Sequence, residues 1–466
     1  MSDRTEAFKK IHAEIAEHGI ETIRVMFVDQ HGILRGKTIV ADAFPSACEN
    51  GIGVPSTLLL KDTSHRTVFP VWQPGVAIGE LPLGGAGDVL LRPNPAHFYR
   101  LPWAPQSALI LSEVHHRTGA PISFSSSAVL GSAIKSLDEI GYKATFGLEV
   151  EFQIFERLDP ALDHERSTMP PAPVATRNLT QGHQYLTETR YAEVEPLLDE
   201  LRRMAQFIGL DPRSVEIEMG PSQFEFTFGP ADPETQAARF VLFRTLVKEV
   251  CHHRGLHATF MAKPGLPNAA ANGWHIHQSL IETTTNRAVF SSESADLTPE
   301  ASAWIAGLLE HATASCLLTN PTVNSYKRFS AYQLAPNCIQ WGRDNRGAMV
   351  RALCDPGSAA SRVENRVPDT SANPYFAFAA QIAAGTNGLQ RKLAAPPATE
   401  VPYNDAACRL PTNLGAAIAA FAEDMFIVET FGADFQKYLK TLKQAEWDRY
   451  LMTVSDWEQQ EYFGLF

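Results

Sequence analysis

Four short segments of the chain alternate charged or polar residues with apolar ones. Successive side chains of a β-strand point to opposite faces, so in residues 146–155 Glu149, Glu151 and Gln153 would share one face. Residues 215–228, 274–280 and 362–367 follow the same pattern. Their polar faces carry Glu216, Glu218, Gln223, Glu225, His275, His277, Ser279, Arg362, Glu364 and Arg366. The recurrence of Glu, His and Arg favours one shared site over four separate solvent-exposed faces.

The glutamates of this group indicate a metal site. Carboxylates cannot all stay ionised in one cleft of low dielectric constant unless cations compensate them. Oxygen ligands with a histidine among them favour Mg²⁺ or Mn²⁺ over a zinc site. The carboxylates concerned are Glu149, Glu151, Glu216, Glu218, Glu225 and Glu364.

Arginines are concentrated between residues 320 and 369. A guanidinium group binds phosphate or carboxylate with two parallel hydrogen bonds, and arginines beside metal ions are typical of phosphoryl transfer. The carboxylates alone would also allow a metal-dependent hydrolase, which the arginines disfavour. The chain has no glycine-rich P-loop or Rossmann motif, so neither type of nucleotide site is predicted. The arginines are Arg328, Arg343, Arg346, Arg351, Arg362 and Arg366.

Bulk composition restricts the class of protein. The net charge of −12 over 466 residues argues against nucleic acid as a partner, because binding phosphates requires a basic surface. No apolar segment approaches the roughly 20 residues that span a membrane, and the first ten residues lack the apolar core of a signal peptide. We therefore expect a cytoplasmic protein without a membrane partner. The six cysteines form no C-x-x-C pair, so we expect them to be reduced.

Residues outside the four segments predict the elements that must position them. Strands at residues 21–28 and 33–40 predict a hairpin that opens a small domain, which ends near residue 110. Residues 159–184 are rich in proline and predict a surface loop. The aromatic residues from Trp457 to Phe466 predict a tail that packs against the protein. Helices are predicted at residues 7–18, 127–140, 193–208, 232–254, 414–423 and 433–450.

Short motifs in consistent order then resemble the glutamine synthetase superfamily over most of the chain. They are VD and RGK (residues 28–29 and 35–37), GLEVEF (147–152), EMGPSQFE (218–225), FMAKP (260–264), GWHIHQSL (273–280), NPTVNSYKR (320–328), DNR (344–346), RVENR (362–366), PD (368–369) and NPY (373–375). Any one of them would be weak evidence, but the ordered set is specific.

The resemblance implies an α+β fold in two domains. Residues 1–110 would form a β-grasp domain, and residues 111–466 a catalytic domain whose curved antiparallel sheet forms a funnel. The resemblance also implies homo-oligomeric rings, expected as hexamers stacked into dodecamers, in which a neighbour's small domain closes each site.

Roles for individual residues follow from the resemblance. It implies two or more Mg²⁺ or Mn²⁺ ions per site, one held by Glu151, Glu218 and Glu225 and another by Glu149, His275 and Glu364. The ATP side would comprise His277, Ser279, Arg346, Arg351 and Arg362. Glutamate would contact Glu151, Gly273, Arg328 and Arg366, and the catalytic arginines would be Arg328, Arg346 and Arg366. The implied reaction phosphorylates the γ-carboxylate of glutamate with ATP, and an amine then displaces the phosphate.

Two loops depart from the pattern of enzymes that use ammonia. Leu334 stands where the flap glutamate is expected, and residues 53–57 lack the aspartate expected to bind ammonium. An ammonium ion without a carboxylate partner is costly to desolvate, so we predict a primary alkyl or aryl amine as the substrate that binds beside Leu334. The alternatives are an ordinary glutamine synthetase in which Leu334 is merely a packed loop residue, and a catalytically inactive relative. Ala270 and Ala271 also depart from the family pattern, in which Asn-Gly-Ser-Gly-Met precedes the metal-binding histidine.

Overall fold

The computed structural model describes residues 2–159, 161, 163–294, 296–330, 334–403 and 407–466. Its first part carries a five-stranded sheet in the order β2-β1-β7-β6-β3, in which β1 and β7 run parallel and the other neighbours antiparallel. Ile23, Val25 and Phe27 of β1 alternate into the core. The elements are α1 (Ser2–Glu17), β1 (Thr22–Val28), β2 (Leu34–Val40), α2 (Phe44–Asn50), β3 (Ile52–Pro55), β4 (Ala77–Ile78), β5 (Leu81–Pro82), β6 (Asp88–Arg100) and β7 (Ser107–His115).

Strand β7 shows where the boundary between the two domains can lie. A division between residues 110 and 111 would cut β7, which pairs with both β1 and β6. The next element, α3, begins at Ser126. We therefore propose that the division lies between His115 and Ser126.

The second part of the chain forms a nine-stranded sheet covered by helices. Seven strands follow the order β10-β11-β8-β13-β16-β15-β14, while β9 and β12 pair with β8. Its strands are β8 (Tyr142–Arg157), β9 (Thr176–Asn178), β10 (Pro212–Ile217), β11 (Gln223–Ala231), β12 (Leu256–Thr259), β13 (Trp274–Glu282), β14 (Trp341–Arg343), β15 (Val350–Leu353) and β16 (Arg362–Asn365). Its helices are α3 (Ser126–Glu139), α4 (Glu188–Phe207), α5 (Pro233–His253), α6 (Pro299–Glu310), α7 (Ala312–Thr319), α8 (Pro374–Arg391), α9 (Leu414–Glu423), α10 (Met425–Phe431), α11 (Ala433–Leu451) and α12 (Asp456–Tyr462).

The large sheet buries its apolar face and keeps its polar face for the site. Phe152 of β8 and Phe226 of β11 pack against Phe243 of α5, with ring centroids 5.5 and 5.0 Å from that ring. The pairs are antiparallel except for β14 and β15, which run parallel. The α+β class is confirmed, and the four alternating segments are strands as predicted.

Two parts of the chain differ from the sequence prediction. Residues 159–184 contain β9, which extends the sheet beside β8, although Pro160 and Leu162 lie outside the described residues. The aromatic tail does not pack on its own chain, because every residue from Tyr450 to Phe466 is exposed. Within the described residues, no helix is long and apolar enough to cross a membrane.

Hydrogen bonds join the first part of the chain to the second. The Asp29 carbonyl accepts bonds from Ser126 Oγ and Asn373 Nδ2, each at 3.0 Å. Arg244 of α5 donates to the Gly32 carbonyl on one side and to the Thr370 carbonyl on the other. The turn between β1 and β2 is thereby fixed to the second part of the chain.

Candidate active site

A row of three carboxylates crosses three neighbouring strands. In the strand register, Glu216 of β10 lies opposite Glu225 of β11, and Glu225 lies opposite Glu151 of β8. Glu218 follows immediately after β10. Carboxylate oxygens of Glu151, Glu218 and Glu225 all lie within 4.8 Å of one another, a separation that one metal ion can bridge.

The pKa values of these carboxyl groups indicate that the group would be stabilised by a bound cation. Burial and the Glu151 carboxylate raise the pKa of Glu218 to about 8. Burial and the same neighbour raise the pKa of Glu225 well above its usual range. Glu225 Oε1 is also buried without a hydrogen-bond partner among the described residues. A divalent ion would satisfy this oxygen and compensate the charges, so these residues fit the predicted metal.

A second group of possible ligands lies on β8, β13 and β16. Glu149 accepts from His275 Nδ1 at 2.9 Å and from His277 Nε2 at 2.8 Å. Burial acts to raise the pKa of Glu149, but the two histidines outweigh it and hold that pKa far below its usual value. His275 Nδ1 also lies 3.8 Å from Glu364.

His277 is a further candidate ligand in the second group. The combinations compact enough for an ion are Glu149 with His277 and Glu364, and Glu149 with Glu225 and His275. The sequence had assigned His277 only to the nucleotide side. Either histidine can therefore complete a site around Glu149.

Arginines hold Glu364 from two directions. Arg366 Nη1 donates to Glu364 Oε1, and Arg351 Nη1 donates to Glu364 Oε2 at 3.1 Å. Arg351 is held in turn by Asp344, which its Nε contacts at 2.9 Å. Burial acts to raise the pKa of Glu364, but Arg366 and the nearby histidines lower it overall, so this carboxylate is ionised at neutral pH.

The remaining predicted nucleotide-side residues surround this core. Arg362 Nε donates to His277 Nδ1 at 3.1 Å, and the carbonyl of exposed Arg346 accepts from Arg366 Nε at 3.0 Å. Ser279 lies two residues beyond His277 on β13, and its side chain is half-buried. Arg343 differs from the other arginines of this group, because its guanidinium group lies 3.7 Å from the carboxylate of the exposed Asp296.

Gly273 and Arg328 form the opposite end of the site. The Gly273 N–H donates to Glu151 Oε2 at 2.7 Å. A Cβ at this position would lie 2.7 Å from His275 Nε2 and 2.8 Å from Arg328 Nη2, so any larger residue would displace these two side chains. Arg328 is 3% exposed and donates to the carbonyls of Val367, Pro368 and Arg366.

Leu334 lies in the loop that follows Arg328. A backbone bridge between Ser330 and Ala335 closes this loop, and Ala331, Tyr332 and Gln333 lie outside the described residues. Leu334 has a φ of 53° and a side chain that is 48% exposed. Leu334 is therefore not buried within its own chain, and its role in selecting the amine stays a prediction.

Two further residues belong to the site and escaped the sequence analysis. Burial and the negative charge of Glu218 raise the pKa of the Tyr185 phenol to about 12, and Arg346 acts on it in the opposite direction. Tyr185 therefore lies beside the first carboxylate group, but its loop has no periodicity that would reveal it. Asp344 orients Arg351. Its position in the DNR motif is the feature of the sequence that could have identified it.

Comparison with known proteins agrees with this geometry. The family model for the catalytic domain of glutamine synthetase matches residues 126–462. The chain belongs to the glutamine synthetase family. Enzymes of this family are ATP-dependent ligases with small-molecule substrates, and they are typically oligomeric.

Several relatives of this chain carry names that refer to amines. The chain is 34% identical over 480 residues to a γ-glutamylanilide synthase from an Acinetobacter species, covering 99% of this chain and 96% of that protein. It is 30% identical over 471 residues to the γ-glutamylethanolamide synthetase GlnA4 of Streptomyces coelicolor, covering 99% and 97%. A solved structure described as apo GmaS without ligand matches with a TM-score of 0.81 and 28% identity, over 97% of this chain and 99% of that one.

Proposed function

We propose that this protein is an ATP-dependent ligase that joins the γ-carboxylate of glutamate to a primary amine with an apolar substituent. The product is a γ-glutamyl amide, formed through a γ-glutamyl phosphate. The observation that carries the choice of amine is exposed, apolar Leu334 at the position where ammonia-using relatives are expected to have an acid. The related γ-glutamylanilide synthase takes its name from the product of such a reaction.

The charged core supports the phosphoryl-transfer half of this reaction. Divalent ions bound by Glu151, Glu218 and Glu225 and around Glu149 would neutralise the phosphate oxygens of ATP. Arg366 and Arg351 fix Glu364, and their positive charges face the place where negative charge grows as the phosphoryl group moves. We assign the ATP side to His277, Ser279 and the surrounding arginines.

Glutamate would bind at the opposite end, beside Gly273 and Arg328. A side chain at Gly273 would press on His275 and Arg328, so glycine at this position lets both residues keep their places beside the substrate. Arg328 is buried, and among the described residues Glu151 and Asp369 act on it only through space, so its charge is available to a carboxylate substrate. Its three bonds to carbonyls hold the guanidinium group in place.

An ordinary glutamine synthetase reaction is the second candidate. Tyr185 lies within electrostatic reach of Glu218, Glu225 and Glu216. Glu216 is an additional carboxylate, and with the phenol oxygen it could hold an ammonium ion despite the loss of the flap acid. This arrangement would favour ammonia as the substrate if Glu216 does not bind a metal ion.

A panel of amines distinguishes the candidates. Phosphate release from ATP would be followed with glutamate and Mg²⁺ or Mn²⁺, adding ammonia, methylamine, isopropylamine, ethanolamine, putrescine or aniline in turn. We expect an amine with an apolar substituent to give the highest kcat/KM, and mass spectrometry to identify its γ-glutamyl amide. Ammonia as the best substrate would overturn the proposal in favour of a glutamine synthetase. No release with any amine would indicate an inactive relative.

The same proposal includes assembly into rings of six, stacked in pairs. The exposed apolar tail supports association with other copies, because such surfaces are unfavourable in water.

A further inference from the structure

A cleft separate from the charged site lies between the small domain and the catalytic domain. Its volume is about 610 Å³, within the range that holds small organic ligands. Apolar side chains line much of it, among them Met26 of β1, Val241 of α5 and the neighbouring pair Phe260 and Met261. None of the residues assigned above to metal, ATP or glutamate lines this cleft.

Helix α5 presents two cations to the cleft. Arg244 and Lys248 are four residues apart and therefore share one face of the helix. Arg244 donates to the carbonyls of Gly32, Thr370 and Ala372, and it makes no ion pair among the described residues. Burial lowers the pKa of Arg244 to about 10, although Asp29 and Asp369 act through space to raise it.

Lys248 is the cation whose charge is most available. Its side chain is exposed, and no described acid lies within ion-pair distance of it. Desolvation of the ammonium group and the nearby positive charge of Arg244 lower the pKa of Lys248. An anion placed between them would relieve this repulsion.

The other charges of the cleft are already paired. Arg24 contacts Glu249 at 2.8 Å, and Trp103 Nε1 donates to the same carboxylate at 2.7 Å. Lys443 contacts Glu446 at 3.1 Å. The cleft therefore combines an apolar wall with a net positive charge from Arg244 and Lys248.

We propose that this interdomain cleft binds a small organic carboxylate with an apolar body. The carboxylate lies against Lys248 and Arg244, and the apolar body contacts Met26, Phe260 and Met261. Thr370 and Ser371 also line the cleft, and they directly follow Asp369, which bridges to Gly273 in the substrate site. The cleft thus lies behind the proposed glutamate subsite and is distinct from it.

Calorimetric titration of the full-length oligomer with benzoate tests the proposal. We expect saturable binding of benzoate, with acetate, benzyl alcohol and inorganic phosphate each binding at least ten-fold more weakly. The comparisons separately remove the apolar body, the charge and the organic character of the ligand. Equal binding of phosphate or benzyl alcohol, or no saturable binding of benzoate, would overturn the proposal.

Variants locate the bound benzoate. K248M removes the available charge, and M261W fills the apolar part from a side chain that is already 42% exposed. Both should weaken benzoate binding at least ten-fold, whereas K440M, on the exposed face of α11, should not change it. Unchanged affinity in K248M and M261W would place the benzoate elsewhere and refute the assignment. Since the readout is binding, the result is independent of which amine the enzyme uses.

Discussion

Glu216 and Glu225 face one another directly across β10 and β11. Like charges in this position destabilise a sheet, and Glu151 extends the row on the other side of Glu225. Of the three, Glu216 alone has a hydroxyl donor at close range among the residues that the structure describes, from Ser214 Oγ at 2.6 Å. The row is therefore arranged for a bound cation and is unfavourable without one.

Removing one carboxylate of the first group should weaken metal binding. We expect E218Q to lower the affinity for Mn²⁺ by at least about 100-fold, because residues that merely support a metal ligand already contribute 10- to 100-fold. Electron paramagnetic resonance titration of free Mn²⁺ measures this change. The matched control is E156Q on the same sheet, since Glu156 pairs with Arg177 at the surface. Equal affinity in E218Q and E156Q would contradict the metal assignment.

The stability of the metal-free protein should fall with rising pH. The pKa of Glu218 is raised from 4.5 to about 8, so the folded state binds more protons than the unfolded state between those values. The free energy of unfolding therefore decreases as the pH rises through this window. Differential scanning calorimetry in chelator should show a falling Tm, and saturating Mn²⁺ should flatten the dependence. In E218Q the Tm should depend less on pH even without metal. An unchanged dependence of Tm on pH in that variant would contradict the raised pKa of Glu218.

Restoring an acid at the flap position should favour ammonia. We expect L334E to raise the ratio of kcat/KM for ammonia to that for the best apolar amine by about 100-fold, which corresponds to about 2.7 kcal/mol. The reason is that the carboxylate compensates an ammonium ion and is unfavourable beside an apolar substituent. Steady-state kinetics with both amines provide the measurement.

The uncharged variant L334Q separates charge from the loss of apolar contact. It should weaken the use of the apolar amine without increasing the use of ammonia. An equal gain of ammonia activity in L334Q and L334E would show that the charge is not responsible.

The aromatic tail should contribute to assembly. Trp457 and Phe463 are 61% and 80% exposed, and the Trp457 ring contacts the ring of Tyr462 within the tail. We expect W457S/F463S to shift the protein toward smaller species in sedimentation velocity at micromolar concentration. The control Q459S/Q460S alters polar positions on the same helix. Identical distributions for both double variants would exclude a role for the aromatic side chains.

The sequence was most informative where periodicity was strict. The two-residue repeat around Glu149 and Glu151 predicted both the strand and the face that carries the site, since each side chain can take only one of two directions. Tyr185 could not be found in this way, because it lies in an irregular loop and reaches the site only through the tertiary fold. The pairing of Glu364 with two arginines likewise depends on the alignment of β15 and β16.

The exposure of the aromatic tail could not be predicted from one sequence. The tail was expected to pack because it is apolar, but composition does not reveal whether the covering surface belongs to the same molecule. The helix α4 begins at Glu188, earlier than the predicted residue 193, because its first turn lacks the apolar spacing on which the prediction relied.

Arg244 has a consequence for how the protein unfolds. Its guanidinium group bonds to carbonyls from the first and the second part of the chain, and Asn373 reaches Asp29 beside it. If one part unfolded while the other stayed folded, the buried guanidinium group and the carbonyls would lose hydrogen-bond partners. Each loss would cost about 1–3 kcal/mol or more. The two domains should therefore lose their structure in a single cooperative transition, and a fragment containing only the first should not retain its native fold.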